Sequence, residues 1–243
     1  MLSKEELDRY DRQIRLHRFG TEGQMKLKKT KAFVAGVGGL GSPVLSYLTV
    51  AGVGTISLAD SDKVELSNLS RQFLHWNKDI GNNKADSAGD KLLEMNPNVK
   101  IRRLAEVITK DNASSLIDNS DLIVDCMDNF ETRYTLNQVA LEKEIPLFHG
   151  AVYGLEGQAT TIIPGRTPCL RCIFPEVPPK EVFPVVGVTP GVIGCIQAME
   201  VIKYAIGVGN LITNRLLVFD GMDMEFMNIE VKENPNCPEC GNR

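Results

Sequence analysis

The sequence predicts an α/β protein with a mostly parallel sheet, and three observations carry that reading. Short apolar runs at 31–35, 55–59 and 121–124 suit strands buried on both faces. Helical stretches separate these runs, as crossover connections require. A glycine-rich segment, Gly36-Val37-Gly38-Gly39-Leu40-Gly41, joins the first run to the helix after it. With 243 residues, 43% hydrophobic and 24% charged, the chain can bury a large core without disulfide staples. The same composition argues against a disordered chain or a coiled coil.

Each element follows from local signals. Ser3 with Glu6 makes a capping box ahead of a charged helix over 4–16, which carries Tyr10-Asp11-Arg12-Gln13-Ile14. A short helix is expected over 21–28. Strand 31–35 runs into the glycine segment, helix 43–50 follows, and strand 55–59 ends at Asp60, completing a βαβ unit. Helix 84–95 stops at Asn96-Pro97, because a proline pushes the residue before it out of helical conformation. Strand 99–104, helix 113–117 and strand 121–124 come next, and the last delivers Asp125-Cys126-Met127-Asp128-Asn129. Helix 131–143 halts before Pro146, and strand 147–151 follows. Beyond Gly150 the alternation ends. Segments 158–163, 215–219 and 224–231 read as strands without crossover helices, expected to extend the sheet in antiparallel fashion. A Pro-rich stretch over 175–190 reads as a loop, and 192–206 as a helix with core-facing apolar side chains. One domain, 1–243, is expected, with a nucleotide-binding half at 1–150 and a second half at 151–243.

The glycine segment has the form of a phosphate-binding turn. Gly36, Gly38 and Gly41 allow a tight turn, close approach of backbone to phosphate, and close packing of helix on strand. The helix N-terminus then offers N–H groups and a positive dipole to an anion. Asp60, at the end of the second strand, is placed to accept ribose hydroxyls. No GxxxxGK[ST] pattern occurs, which excludes a P-loop. The downstream residues separate a nucleoside triphosphate from a dinucleotide. Ser67-Asn68-Leu69-Ser70-Arg71-Gln72 follows Asp60, and Lys84 opens the next helix. Arg71 can fork onto phosphate oxygens, and Lys84 supplies a compact charge. Asp128, at the end of a later strand, suits Mg²⁺ bridging phosphates, against the plainer role of capping the helix after it.

The charge balance and the cysteines bound the remaining classes. A net charge of −4 argues against bulk electrostatic binding of nucleic acid or an anionic membrane. The N-terminus is charged rather than apolar, so no signal peptide is expected, and no apolar run approaches the ~20 residues of a membrane span. A cytoplasmic protein is expected. There the six cysteines are not expected to form disulfides. Two Cys-x-x-Cys pairs, Cys169/Cys172 and Cys237/Cys240, suit tetrahedral Zn²⁺ bound by four thiolates. Four protein ligands leave no open position, so the zinc is expected to be structural. The full expectation is a Rossmann-like, mostly parallel sheet extended by antiparallel C-terminal strands, with a structural zinc site. Cys126 and Cys195 read as core cysteines. His17, His75 and His149 show no paired metal spacing, and Trp76 reads as an interface or core anchor.

At this point the sequence resembles the MoeB/ThiF/HesA family of ubiquitin-activating-like adenylyltransferases. The resemblance rests on Tyr10-Asp11-Arg12-Gln13-Ile14, the glycine segment, Ala51-Gly52-Val53-Gly54, Asp60-Ser61-Asp62 and Ser67 to Gln72. It continues through Gly81-x-x-Lys84, Asp125-x-x-Asp128-Asn129, Gly150, Glu156-Gly157-Gln158, Pro168-Cys169-Leu170-Arg171-Cys172, Gly194-x-x-Gln197-Ala198-Met199-Glu200 and Cys237-x-x-Cys240. It implies ATP-dependent adenylation of the C-terminal glycine of a small ubiquitin-like sulfur carrier, giving acyl-AMP and pyrophosphate. The pathway would be molybdopterin, thiamine or related sulfur transfer. ATP contacts are implied for Gly39, Asp60, Asn68, Arg71, Lys84, Asp128 and Asn129. Gly36, Gly38, Gly41, Asp62, Ser67 and Gln72 complete the expected nucleotide site. Asp128 would hold Mg²⁺, and Arg12 would reach the partner's phosphates across a homodimer. The 151–243 half would bind the carrier and the zinc.

Some members of that family carry a further cysteine in the loop before the Gly-Val-Ile-Gly helix. Here the loop, residues 180–187, has none, so adenylation without a covalent carrier intermediate is expected. Three other readings stand beside this one. A related enzyme could activate a carboxylate on a peptide or a modified tRNA base. An NAD-dependent oxidoreductase would use the glycine loop and Asp60, but leaves Arg71, Lys84, Asp128 and the cysteine pairs unexplained. A non-catalytic nucleotide-binding scaffold would not need the charged site residues, all of which are present.

Overall fold

A computed structural model describes residues 1–176 and 184–241. The strands are β1 (Lys31–Ala35), β2 (Thr55–Ala59), β3 (Lys100–Leu104), β4 (Leu122–Asp125), β5 (Leu147–Tyr153), β6 (Glu156–Ile162), β7 (Arg215–Asp220) and β8 (Glu225–Glu230). They form one eight-stranded sheet in the order β3-β2-β1-β4-β5-β6-β7-β8. β3, β2, β1, β4 and β5 run parallel, and β6, β7 and β8 are antiparallel additions. The mixed sheet is the one the sequence predicts.

The helices are α1 (Lys4–Arg9), α2 (Asp11–Ile14), α3 (Gly20–Lys29), α4 (Gly41–Ala51), α5 (Lys84–Met95), α6 (Ala113–Ile117), α7 (Phe130–Lys143), α8 (Leu170–Ile173) and α9 (Val188–Ile206). They cover both faces of the parallel strands. Side chains alternate along a strand, and β1 shows the consequence. Ala32 and Val34 join a core with Leu45 and Leu48 of α4, Leu92 of α5 and Val201 of α9. Phe33 and Ala35 join the opposite core with Leu116 of α6 and Leu136 and Val139 of α7. Fully burying a side chain such as Phe33 or Val34 contributes roughly 1.5–3 kcal/mol, so the sheet is stabilised from both sides.

Four expectations need correction. The helix over 4–16 divides at Tyr10, whose backbone (φ −99°, ψ 11°) leaves the helical region. Its ring is drawn inward, where its hydroxyl accepts a 2.8 Å hydrogen bond from buried Asn96. The last long helix begins at Val188 rather than 192, with Pro190 in its first turn, where a missing N–H breaks no helical bond. This shortens the expected loop over 175–190, of which 177–183 lie outside the described residues. Cys195 is exposed rather than in the core. It shares the outer side of α9 with Val188 and Met199, because a helix packed on a sheet by one face turns the other outward. Of the two readings of Trp76, interface or core anchor, its half-exposed ring rules out the core, and the Lys78 and Lys91 ammonium groups lie 4.7 and 4.8 Å from its ring centroid.

No helix among the described residues is long and apolar enough to cross a membrane.

Candidate active site

The parallel strands end along one edge, and the expected nucleotide residues hang from it. β1 leads into the glycine loop and α4. At Gly36, with φ +93°, a Cβ would stand 2.7 Å from the Cys126 carbonyl oxygen, in the turn after β4. At Gly41 it would overlap the Gly36 carbonyl oxygen. The loop therefore closes on itself and against the β4 turn at a distance that only glycine permits. Gly38 faces the Gln72 side chain, and Gly39 faces Pro190 and Arg71.

Asp60 follows β2 and reaches back to this loop. Its Oδ2 accepts from the Val37 N–H at 2.8 Å, and its Oδ1 from the Asp62 N–H at 2.9 Å. Burial pushes its carboxyl pKa up, against the pull of Lys84 and of the two N–H donors. Lys84 opens α5, which Asn83 caps through a 2.8 Å bond from the Ala85 N–H. The Lys84 ammonium is buried and lies 2.8 Å from Asp62. Arg71 donates to the Ser67 carbonyl at 3.1 Å. Ser67 is exposed, whereas Asn68 is buried and accepts from the Glu65 N–H at 3.0 Å. Gln72 is buried, with its side-chain oxygen unpartnered among the described residues.

Asp128 is exposed after β4. The capping role open to it from sequence is taken by Asn129, which accepts from the Thr132 N–H at 2.9 Å. Asp128 thus presents a carboxylate at the strand ends that no ion pair occupies among the described residues, a donor suited to a hard cation. Gly36, Gly38, Gly39, Asp60 and Arg71 gather around the loop, and Lys84 joins them through Asp62 and Asp60. Arg12 does not join them. It is exposed on α2, and nothing among the described residues bonds it to the loop.

Several residues at this edge were given no role in the site from sequence. Gly187 abuts the Ser70 carbonyl, which brings the start of α9 against Arg71. Arg133 and His149 converge on Asp125, behind the Asp128 turn. Gln197 donates to the carbonyls of Asp125 and Phe148 at 2.8 and 3.0 Å. Gly150 packs against its amide, so the paired appearance of Gly150 and Gln197 in the motif set was the available signal.

The four paired cysteines meet at the far end of α7. Cys169 and Cys237 are 3.6 Å apart, Cys172 and Cys240 3.3 Å, and all four sulfurs lie within 4.8 Å of one another. A tetrahedral zinc with bonds of about 2.3 Å spaces its sulfurs by about 3.8 Å, so the cluster could hold zinc. Cys169 and Cys237 are buried against Leu141. Cys126 is also buried, as expected, and burial with the Asp125 charge raises its thiol pKa well above the ordinary value. It is a poor nucleophile there.

Residues 10–239 match the ThiF family model. The chain belongs to the ThiF family. Among curated ThiF relatives, the SAMP-activating enzyme E1 of Haloferax volcanii is 44% identical over 99% of this chain and 91% of its own length. The sulfur carrier protein adenylyltransferase of Thermus thermophilus is 41% identical over 98% of this chain and 92% of its own. The adenylyltransferase and sulfurtransferase MOCS3 of Drosophila persimilis is 42% identical, and the match spans 54% of its length. Among solved structures, E. coli MccB covers the whole chain and 74% of its own, with a TM-score of 0.88 at 24% identity, a likeness of fold. The ThiF match and these relatives' names support the adenylyltransferase reading over the oxidoreductase one.

Proposed function

We propose that this ThiF-family chain uses ATP to adenylate the C-terminal glycine of a small ubiquitin-like sulfur carrier, within molybdopterin, thiamine or related sulfur transfer. The observation that carries the reading is near-full-length similarity to proteins named as a sulfur carrier protein adenylyltransferase and a SAMP-activating enzyme. The glycine-loop geometry is compatible with it.

A glycine carboxylate oxygen attacks the α-phosphorus of ATP. A new P–O bond forms as the bond to the bridging oxygen breaks, and pyrophosphate leaves with its electron pair. No general base is needed, since the carboxylate is already ionised at neutral pH. Asp60 would accept ribose hydroxyls, and the N–H groups around Gly38, Gly39 and Gly41 would meet phosphate oxygens. Arg71 and Lys84 would offset the charge that grows on the departing pyrophosphate. Asn68, Ser67, Gln72 and Asn129 would complete the polar lining, and Asp62 would hold Lys84 ready. Asp128 would bind Mg²⁺, which when bound supplies further charge neutralisation on the phosphates. Holding the flexible carboxylate in line supplies much of the remaining rate.

Cys169, Cys172, Cys237 and Cys240 would hold one structural Zn²⁺ outside the chemistry. Arg12, exposed on α2, would act on the phosphates of a partner subunit in a cytoplasmic homodimer. Residues 180–187 contain no cysteine, so the carrier would leave as the acyl-adenylate, without a thioester on this chain.

The test is exchange of labelled pyrophosphate into ATP, dependent on an added carrier ending in Gly-Gly. Exchange that requires the carrier's terminal carboxylate is the expected result. ATP binding without exchange, across a panel of such carriers, overturns the reading in favour of a scaffold.

A further inference from the structure

Four buried side chains outside the phosphate-facing set converge on the turn that carries Asp128. Asp125 and His149 are register partners in the parallel β4–β5 ladder, and both are fully buried. The Asp125 Oδ2 accepts from Nδ1–H of His149 at 2.7 Å, and its Oδ1 accepts from the Met127 N–H at 3.0 Å. Arg133, buried on α7, donates to the Met127 carbonyl twice, from Nη2 at 2.6 Å and Nε at 3.2 Å. Its Nε also lies 3.8 Å from Asp125 Oδ2. Gln197 holds the Asp125 carbonyl from the other side. The peptide groups on both sides of Met127 are thereby fixed, one residue before Asp128.

The packing of β4 does not call for this set. The His149 Nε2 is buried with no partner among the described residues, a loss that an apolar side chain in the same place would avoid. Arg133 brings a guanidinium into the interior and spends its two shortest bonds on a single backbone carbonyl. Each of these features makes sense as orientation of the turn. Without the His149 donor, the Asp125 carboxylate is free to rotate away from the Met127 N–H. Without the Arg133 fork, the Met127 carbonyl can swing, and the Asp128 backbone turns with it.

We propose that Asp125, His149 and Arg133 are positioning residues that aim the Asp128 carboxylate at a divalent cation carried on a nucleoside triphosphate. The inference rests on the reading of Asp128 as the cation ligand, and the test separates the two. Mn²⁺ binding to the full chain is followed by electron paramagnetic resonance with α,β-methylene ATP, which lacks the reactive bridging oxygen. Nucleotide affinity without metal is measured in parallel. His149→Leu and Arg133→Lys are each expected to weaken Mn²⁺ binding about tenfold, the usual effect of losing an outer partner of a ligand, with metal-free nucleotide affinity unchanged. His149→Asn, whose Nδ2 takes the place of Nδ1–H, is expected to restore Mn²⁺ affinity to near the parent value. Arg133→Lys carries the test if His149→Leu does not fold.

Three outcomes overturn the proposal. If Asp128→Ala loses Mn²⁺ while His149→Leu or Arg133→Lys binds it normally, Asp128 is the ligand but needs no positioning. If His149→Asn is as weak as His149→Leu, the bond to Asp125 is not the cause. If Asp128→Ala itself binds Mn²⁺ as the parent does, the ligand reading falls and the inference with it.

Discussion

The Asp60 carboxylate holds the glycine loop through a 2.8 Å hydrogen bond from the Val37 N–H. Its second oxygen accepts from the Asp62 N–H, so one side chain ties the loop to the segment that pairs with Lys84. Asp60→Ala is expected to weaken ATP binding by about 10- to 100-fold, the equivalent of about 1.5–3 kcal/mol for hydrogen bonds to a charged group. Asp60→Asn keeps an acceptor oxygen for Val37 and is expected to lose less. Calorimetric titration of both variants with ATP checks the order, and equal losses would show that the loop bond is unimportant.

Sharing of Arg12 across a homodimer makes a complementation prediction. Asp128→Ala and Arg12→Ala are each expected to abolish pyrophosphate exchange. Mixed and allowed to re-associate, they are expected to recover about a quarter of parent activity, because half the dimers are mixed and each has one intact site. Recovery of nothing, with subunit exchange shown by a tagged protomer, rules out the shared site.

One zinc per chain is expected by elemental analysis of reduced protein. Cys237→Ser is expected to lose it and to lower the melting temperature, because the cluster joins α8 to the C-terminal segment. The expected readout is loss of stability with the ATP affinity of the remaining folded protein preserved. A parent protein that contains no zinc counts against the assignment outright.

Cys126→Ser/Cys195→Ser is expected to keep carrier-dependent exchange. Cys126 is buried with a raised thiol pKa, and Cys195, though exposed on α9, is also pushed up by partial burial. Neither has the lowered pKa of a nucleophilic cysteine. Loss of exchange in a normally folded double variant would assign a covalent role to one of them.

His149 makes a pH prediction. Burial lowers its pKa, outweighing the opposite pull of Asp125, so the folded protein keeps it neutral. The unfolded chain takes up a proton as pH falls through the ordinary imidazole value of about 6.5. Between that value and the lower folded one, the unfolded state binds more protons. Stability from this group is therefore present above about pH 7 and falls as the solution is acidified through 6. Urea melts at pH 7.5 and 5.5 are expected to show a smaller drop for His149→Asn than for the parent. Equal drops would mean that the imidazole titrates alike in both states.

Much of this molecule is legible at short range. Strand 55–59 and helices 84–95 and 113–117 agree with the structure to the residue, because alternation, apolar runs, caps and prolines act within a few positions. The glycine loop and the cysteine pairs are local patterns too, and their chemistry is readable before any fold is known. Two of the errors share a tertiary cause. Tyr10 breaks a helix because Asn96 waits for its hydroxyl, and Cys195 is exposed because only one side of α9 meets the sheet.

By itself the sequence determined the α/β alternation, the nucleotide-type loop, the candidate ligand types and the family resemblance. The tertiary structure alone decided which residues meet. Parallel register sets His149 beside Asp125, the crossing of α9 brings Gln197 onto the Asp125 carbonyl, and α8 with the C-terminal segment closes four sulfurs into one cluster. Those meetings depend on packing between residues far apart in the chain, and no local pattern carries that information.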